Sequence, residues 1–307
     1  MRLVFAGTPH AAVPSLHALA ARGHDIASVV TRRDAPLGRK RVLTPSPVAS
    51  AAESLGLSIH RTDRLDAAAS DEIMALEPEL GVIVAYGGLV REPLLSAPTH
   101  GWINLHFSLL PRWRGAAPVQ HALIAGDRVT GASVFALVAG LDAGDVYDEI
   151  TVEVDGAATS GDLLTELADA GAQLLARVVD DIEQERAVGR PQQGEVTYAS
   201  KLEDADGRLD WHQDATTVHN RFRGVTPEPG AHTTIEGARV KILEITRSEA
   251  DTPALTPGAM ELHHKKLLVG TGSDPLVLSR VQPAGKGAMN ATDWFRGLRA
   301  VSPVLGS

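Results

Sequence analysis

The sequence predicts an α/β protein, a mostly parallel, twisted sheet with helices packed on it, followed by a small antiparallel β-barrel. Three observations predict it. Short apolar runs alternate with stretches of helical periodicity through the first part of the chain. Some of those runs are continuously apolar, as in GVIVAY at residues 81–86, which suits strands covered on both faces. After about Gly207 the texture changes to short β-like runs broken by Pro and Gly.

The elements follow in order. Arg2–Ala6 (RLVFA) reads as a strand ending at Gly7, and Val13, Leu16, Leu19 and Ala20 mark the helix after it. Further strands are expected at Ile26–Val30, Leu80–Ala85 and Trp102–Leu105, with helices near Val48–Leu55 and Asp71–Leu76. Such alternation implies right-handed crossovers and a parallel, Rossmann-like sheet. Ala132–Val138 and Val146–Val154 flank the turn GLDAGD and suggest a hairpin. A long amphipathic helix is predicted over Gly161–Gln184, from Leu163, Leu164, Leu167, Leu174, Leu175 and Val178. GRPQQG, at Gly189–Gly194, reads as a linker. Ala238–Ile245, Lys266–Gly270 and Leu276–Val281 then supply strands of the barrel. The expected division is residues 1–188, a linker at 189–206, and a second domain at 207–307.

Composition bounds the chemistry. Hydrophobic residues make up 44% of the 307 and charged residues 22%, which is ordinary for a folded protein. With no cysteine, disulfides, thiolate metal sites and a cysteine nucleophile are excluded. No apolar run is long enough to cross a bilayer. His10 and Pro14 interrupt the apolar N-terminal stretch, so a secretory signal is not expected and a cytoplasmic protein is. The formal charge of −9 argues against a generic nucleic-acid binder. Its distribution is uneven: residues 207–307 carry 12 Lys+Arg against 10 Asp+Glu, and the preceding 206 residues carry 17 against 28. Within that acidic part Arg32, Arg33, Arg39, Lys40 and Arg41 crowd into ten positions, a run that a solvated loop explains equally well.

Several nucleotide, metal and hydrolase signatures are absent. In AGTPHAA the dinucleotide spacing fails, because Pro9 and Ala12 stand where glycines are required. There is no HExxH, GxxxxGK[ST] or GxSxG. The informative stretch is NLHFSLLPRWRG at residues 104–115. Asn104 and His106 lie two apart at a strand end and so face the same side. An amide can hydrogen-bond a developing oxyanion and an imidazole can hold charge or move a proton. The bracketing glycines of GLDAGD let the turn project Asp142, and a carboxylate beside His106 would favour imidazolium. A structural Asn–His pair and an ordinary Asp-Gly turn account for each of these alone.

Taken together, NLHFSLLPRWRGAAPVQHAL and GLDAGD resemble the 10-formyltetrahydrofolate-dependent formyltransferases. FAGTP at Phe5–Pro9, the basic loop leading into Thr44–Val48 (TPSPV), AYGGLV at Ala85–Val90 and VTYASKLEDADGRLDW at Val196–Trp211 are similar to the branch whose acceptor is methionine on initiator tRNA. The resemblance implies a catalytic trio of Asn104, His106 and Asp142. It implies folate contacts from Ser108, Leu109, Leu110 and Pro111, and a tRNA contact from Arg39. It makes the C-terminal barrel OB-like and tRNA-contacting, and the partners 10-formyltetrahydrofolate and initiator methionyl-tRNA, with no metal, no membrane and a monomeric state. Protonated His106 and Asn104 would stabilise the tetrahedral oxyanion, with Asp142 orienting the ring and, through water, taking the proton that the amine loses while N10 gains one. Phe107 stands where the family often has glycine, Ala143 replaces a common Thr, and Thr226–Pro229 (TPEP) departs from an aromatic-containing counterpart. Other acceptors (glycinamide ribonucleotide, an amino sugar nucleotide), hydrolysis of the same folate, and a non-catalytic RNA-binding module are the alternatives.

Overall fold

The computed structural model describes residues 1–38, 40–298 and 303–306. The chain forms two compact units. The first comprises Met1–Pro118, Val129–Glu153 and Leu164–Ala199; the second comprises Val119–Arg128, Val154–Leu163 and Ser200–Ser307.

The first unit is built on seven strands: β1 (Arg2–Gly7), β2 (Asp25–Thr31), β3 (Ile59–Arg61), β4 (Leu80–Val84), β5 (Trp102–His106), β6 (Val129–Ala136) and β7 (Val146–Glu153). Their spatial order is β7-β6-β5-β4-β1-β2-β3. The five strands from β5 to β3 pair in parallel, and β6 and β7 add antiparallel. The sheet is therefore mixed and Rossmann-like. Leu3 to Ala6 and every residue of β4 are buried, as the continuous apolar runs require. Trp102 anchors one side of the sheet, its indole N–H donating to the Leu94 carbonyl at 2.9 Å. Burying one such large side chain contributes about 1.5–3 kcal/mol.

Local chemistry sets the helix starts, and the third begins four residues before the expected Asp71. Pro14 sits in the first turn of α1 (Val13–Ala21), where a missing N–H costs nothing. Ser46 caps α2 (Pro47–Ser54) by accepting from the Ala49 N–H at 3.0 Å, and Asp66 does the same for α3 (Ala67–Met74) through Ala69. After α4 (Pro118–Ala125) comes the long α5 (Ser160–Glu183), whose buried side includes Leu163, Leu167, Leu174, Leu175 and Val178. No helix among the described residues is long and apolar enough to cross a membrane.

The topology gathers the motifs. In a parallel sheet all carboxyl ends share one edge, which is where ligands bind in open α/β sheets. The loops leaving β1 (Gly7-Thr8-Pro9), β2 (the basic segment from Arg32), β4 (Ala85–Gly88) and β5 (from Phe107) all emerge on that edge. Thr8 Oγ1 ties the first loop to the third by donating to the Tyr86 carbonyl at 3.4 Å.

The second unit holds α6 (Ala215–Gly224), strands β8 (His232–Ile235), β9 (Ala238–Arg247), β10 (Met260–His263), β11 (Lys266–Val269), β12 (Leu276–Pro283) and β13 (Met289–Asn290), and α7 (Ala291–Arg296). They form a six-stranded antiparallel sheet in the order β8-β9-β12-β11-β10, with β13 against β12. Trp211, Phe222, Ile242, Leu267, Leu278 and Trp294 are among its core.

His219 of α6 is buried in this unit, and its pKa is lowered to about 4, by burial first and then by Arg223 and Arg247. Because the folded value lies below the ordinary 6.5, the unfolded chain takes up the proton first. Stability should thus be unaffected by this group above pH 6.5 and fall as pH drops towards 4, by on the order of 3 kcal/mol. Denaturant titrations at pH 7 and pH 4.5 check this; His219→Gln should shrink the difference, and an equal pH dependence in that variant would contradict it.

Candidate active site

β5 ends at His106, and the strand's alternation sends the side chains of Asn104 and His106 to one face. His106 is only 6% exposed and stacks edge-on against the buried Phe135. Its Nε2 lies 2.8 Å from the Trp113 carbonyl oxygen. A carbonyl only accepts, so Nε2 carries the hydrogen. In the neutral ring this leaves Nδ1 with a free lone pair, and Nδ1 faces Asp142 Oδ2 at 3.9 Å. The acid that is distant along the chain is thus brought next to the ring. That separation is an electrostatic contact, too long for a hydrogen bond.

The charge state departs from the sequence expectation. A neighbouring carboxylate favours imidazolium, but burial is the larger effect and lowers the His106 pKa; Asp142 and the Trp113 carbonyl oppose it only in part. Burial thus works against the protonated His106 that the sequence suggests for the oxyanion step, and when the ring is neutral the Nε2–H tautomer leaves Nδ1 available. Removing an ion from water into this nearly closed position costs more than one carboxylate at 3.9 Å returns.

Asp142 is held in a demanding geometry. Its φ is +44°, in the left-handed region that non-glycine residues avoid. Its Oδ2 accepts the Gly115 amide N–H at 2.7 Å. Gly115 itself has φ +121°, and an added Cβ would lie 2.6 Å from the Ala199 carbonyl oxygen. Only glycine lets the chain present this amide to the carboxylate. Asn104 Oδ1 is buried without a hydrogen-bond partner. Leaving a polar atom in that state costs about 1–3 kcal/mol, which a bound donor would recover.

The SLLP segment is more enclosed than a contact surface needs to be. The Ser108 hydroxyl is fully buried and donates to the Arg112 carbonyl at 2.6 Å, while Ser133 Oγ donates to the Ser108 carbonyl and accepts from the Leu110 N–H. Leu110 and Pro111 are buried and Leu109 is half-buried. Ser108 thus spends its hydroxyl on the loop, and Phe107 points into the packed interior. Arg39 lies outside the described residues. Around it, Ala35–Leu37 pairs with Val42–Thr44 as a short hairpin, and Arg32 donates to the Gly87 carbonyl.

Two side chains at the site were not singled out by sequence reasoning. Gln192, from the polar GRPQQG stretch, donates through Nε2 to the carbonyls of Asp142 and Gly144, both at 2.8 Å. Arg114 donates to Gln192 Oε1 through Nε and Nη2. Arg114 lies inside the quoted PRWRG motif, but nothing in the composition of GRPQQG marks Gln192. Among the described residues one trio of metal-ligating side chains stands close together, His24, Asp180 and Glu183, away from this site. There Arg22 already pairs with Asp180 and the Met1 ammonium with Glu183.

An imidazole beside a carboxylate, with an amide on the same face whose oxygen is unpartnered and whose nitrogen is a donor, is equipped to take a proton from an attacking nucleophile and to hydrogen-bond a tetrahedral oxyanion. The sequence matches the formyl transferase family over residues 1–179 and the formyl transferase C-terminal domain over residues 201–299. It is 59% identical to a methionyl-tRNA formyltransferase of Leifsonia xyli subsp. xyli, over 97% of each chain. It is 58% identical to that of Clavibacter sepedonicus, again over 97% of each. In three dimensions it is similar to an N-formyltransferase from Helicobacter canadensis, with a TM-score of 0.70 at 16% identity, covering 92% of this chain and 98% of that one, a likeness that speaks to the fold. The two family domains and the near-full-length identity agree: the chain belongs to the formyl transferase family, within its methionyl-tRNA formyltransferase branch.

Proposed function

We propose that this protein transfers the formyl group of 10-formyltetrahydrofolate to the α-amine of methionine on initiator tRNA, giving N-formylmethionyl-tRNA for translation initiation. What supports the reading is the 3.9 Å approach of His106 to Asp142, with Asn104 on the same strand face, in a chain so similar along its whole length to methionyl-tRNA formyltransferases.

The acceptor amine must be neutral to attack, and α-amines have pKa values near ~7.7–8. As its nitrogen bonds to the formyl carbon, the carbonyl becomes an oxyanion to which the Asn104 amide donates. Asn104 Oδ1 is free to hold an N–H of the amine. His106 Nδ1 accepts the proton that the amine loses, and Asp142 stabilises the imidazolium that forms. The same proton passes to N10 as its bond to the formyl carbon breaks, so the ring ends neutral. Nε2–H stays on the Trp113 carbonyl throughout and fixes the ring plane.

Other parts of the reading rest on the resemblance. Leu109, Leu110 and Pro111 line the folate subsite, with Ser108 shaping it from within. Arg39 and its basic loop approach the acceptor end of the tRNA. Residues 1–188 are the catalytic domain, 189–206 the link, and 207–307 an OB-like barrel that contacts the tRNA. The protein acts as a cytoplasmic monomer.

The deciding experiment incubates purified protein with 10-formyltetrahydrofolate and methionine-charged initiator or elongator tRNA. Formyl-methionine should form on the initiator species. Formate release without an acceptor, or tRNA binding without turnover, overturns the proposal. In the same assay Asn104→Ala should lower kcat by about 10²–10³-fold.

A further inference from the structure

We propose that Gln192 is a positioning residue for the reaction: together with Arg114 it clamps the backbone of the glycine-flanked turn so that Asp142 stays beside His106. The inference rests on the formyl-transfer reading for its kinetic arm and on geometry alone for its structural arm.

Asp142 is held at two places. Its carboxylate accepts the Gly115 amide, and its own carbonyl accepts the Gln192 amide at 2.8 Å. The second Gln192 hydrogen bond, to the Gly144 carbonyl, spans the far side of the same turn. Gln192 therefore bridges both carbonyls that bracket Ala143. Its Oε1 is pinned in turn by two N–H groups of Arg114, at 3.1 and 2.6 Å, which set the amide's orientation with the donors towards the turn. Arg114 immediately precedes Gly115, so the link closes on the amide that holds the carboxylate.

The turn needs such a clamp. Asp142 adopts φ +44°, a strained conformation for a non-glycine residue that persists only where surroundings over-determine it. At 3.9 Å the carboxylate makes no hydrogen bond to the ring that could restore its place. The segment carrying Gln192 is itself fastened to the loop after β5. The Arg114 N–H donates to the Thr197 carbonyl, the Trp113 N–H to Thr197 Oγ1, and Tyr198–Ala199 pair in parallel with Arg114–Gly115. Gln192 thus transmits the position of one loop to the other.

Gln192→Leu removes both donors and the acceptor for Arg114; Gln192→Glu keeps that acceptor and removes the same donors. Each should lower kcat by about 10–100-fold, with KM for folate and tRNA within about twofold, since a misplacement of about 1 Å is enough for the larger figure. In an Asp142→Asn background the same substitution should cost less than about threefold, because a residue acting through the carboxylate has nothing left to position. Equal losses in both backgrounds overturn the proposal. The structural arm needs no substrate: hydrogen exchange of the Gly115 amide should quicken about tenfold in either variant as its carboxylate acceptor loosens. An unchanged Gly115 amide also overturns the clamp. Wild-type protein without formylation activity would sink the proposed function while leaving the Gly115 measurement decisive here. Should Gln192→Leu not fold, Gln192→Glu serves for both arms.

Discussion

His106→Asn is expected to lower kcat by about 10³-fold or more, with the fold and tRNA affinity retained. The substitution removes the group that, in the proposed path, accepts a proton from the amine and returns it to N10, and general acid–base catalysis of this kind contributes about 10²–10⁴-fold. Its pH signature is more specific than the loss itself. Burial lowers the His106 pKa from the ordinary 6.5, and the mechanism needs the neutral ring. Titration of His106 should therefore limit kcat only on the acid side, below pH 6.5. Asp142 is the charged group that opposes burial by raising the His106 value. Asp142→Asn should accordingly lower kcat and move that limb to still lower pH. Rapid-quench measurement of kcat from pH 5 to 8 checks both signs. A limb above pH 6.5 that disappears in His106→Asn would mean that the imidazolium is the resting form, and the proton path given above would have to be abandoned.

Gly144→Ala should be nearly as damaging, for a reason unrelated to protons. A Cβ on residue 144 would lie 1.7 Å from the Ala136 carbonyl oxygen, a backbone atom at the end of β6 that cannot turn aside. The Ala136 N–H also donates to the Asp145 carbonyl at 2.9 Å, so the turn is stitched to β6 at this point. Relief requires the turn to move by about 1 Å or more, carrying Asp142 with it, and a displacement of that size is enough for about a 10²-fold loss. Stability should also fall, by the 1–3 kcal/mol typical of overpacking. Gly156→Ala is the comparison, because nothing stands within 4 Å of a Cβ there. Melting temperature and kcat of the two variants side by side test the argument. A Gly144→Ala protein as active as Gly156→Ala would show that the turn adapts without displacing the carboxylate.

The sequence carried what is set within a few residues. RLVFA, GVIVAY and the stretch from Trp102 are strands because a continuous apolar run is stable only when covered on both faces. Ser46 and Asp66 start helices by accepting a backbone N–H three residues ahead, a local signal that hydrophobic periodicity alone does not mark. Asn104 and His106 share a face because a strand alternates. The alternation of strands and helices even brings FAGTP, AYGG and the loop after β5 to a single edge, since parallel strands have no other arrangement. The antiparallel addition of β6 and β7 was legible only as a hairpin around GLDAGD, not as a continuation of the same sheet.

Tertiary structure decided the rest. Asp142 is 36 positions from His106, and Gln192 is another 50 beyond it. Whether such groups meet depends on the path of every element between them, which no window of residues encodes. The charge of His106 is of the same kind. A carboxylate neighbour is a pairwise fact and argues for imidazolium, whereas desolvation sums over all the atoms that exclude water, Phe135 and the buried loop of Ser108 among them. Sequence determined which groups the protein owns and the local geometry of each. Only the folded chain determined how far each stands from water and from the others, and those two distances fix what the groups can do.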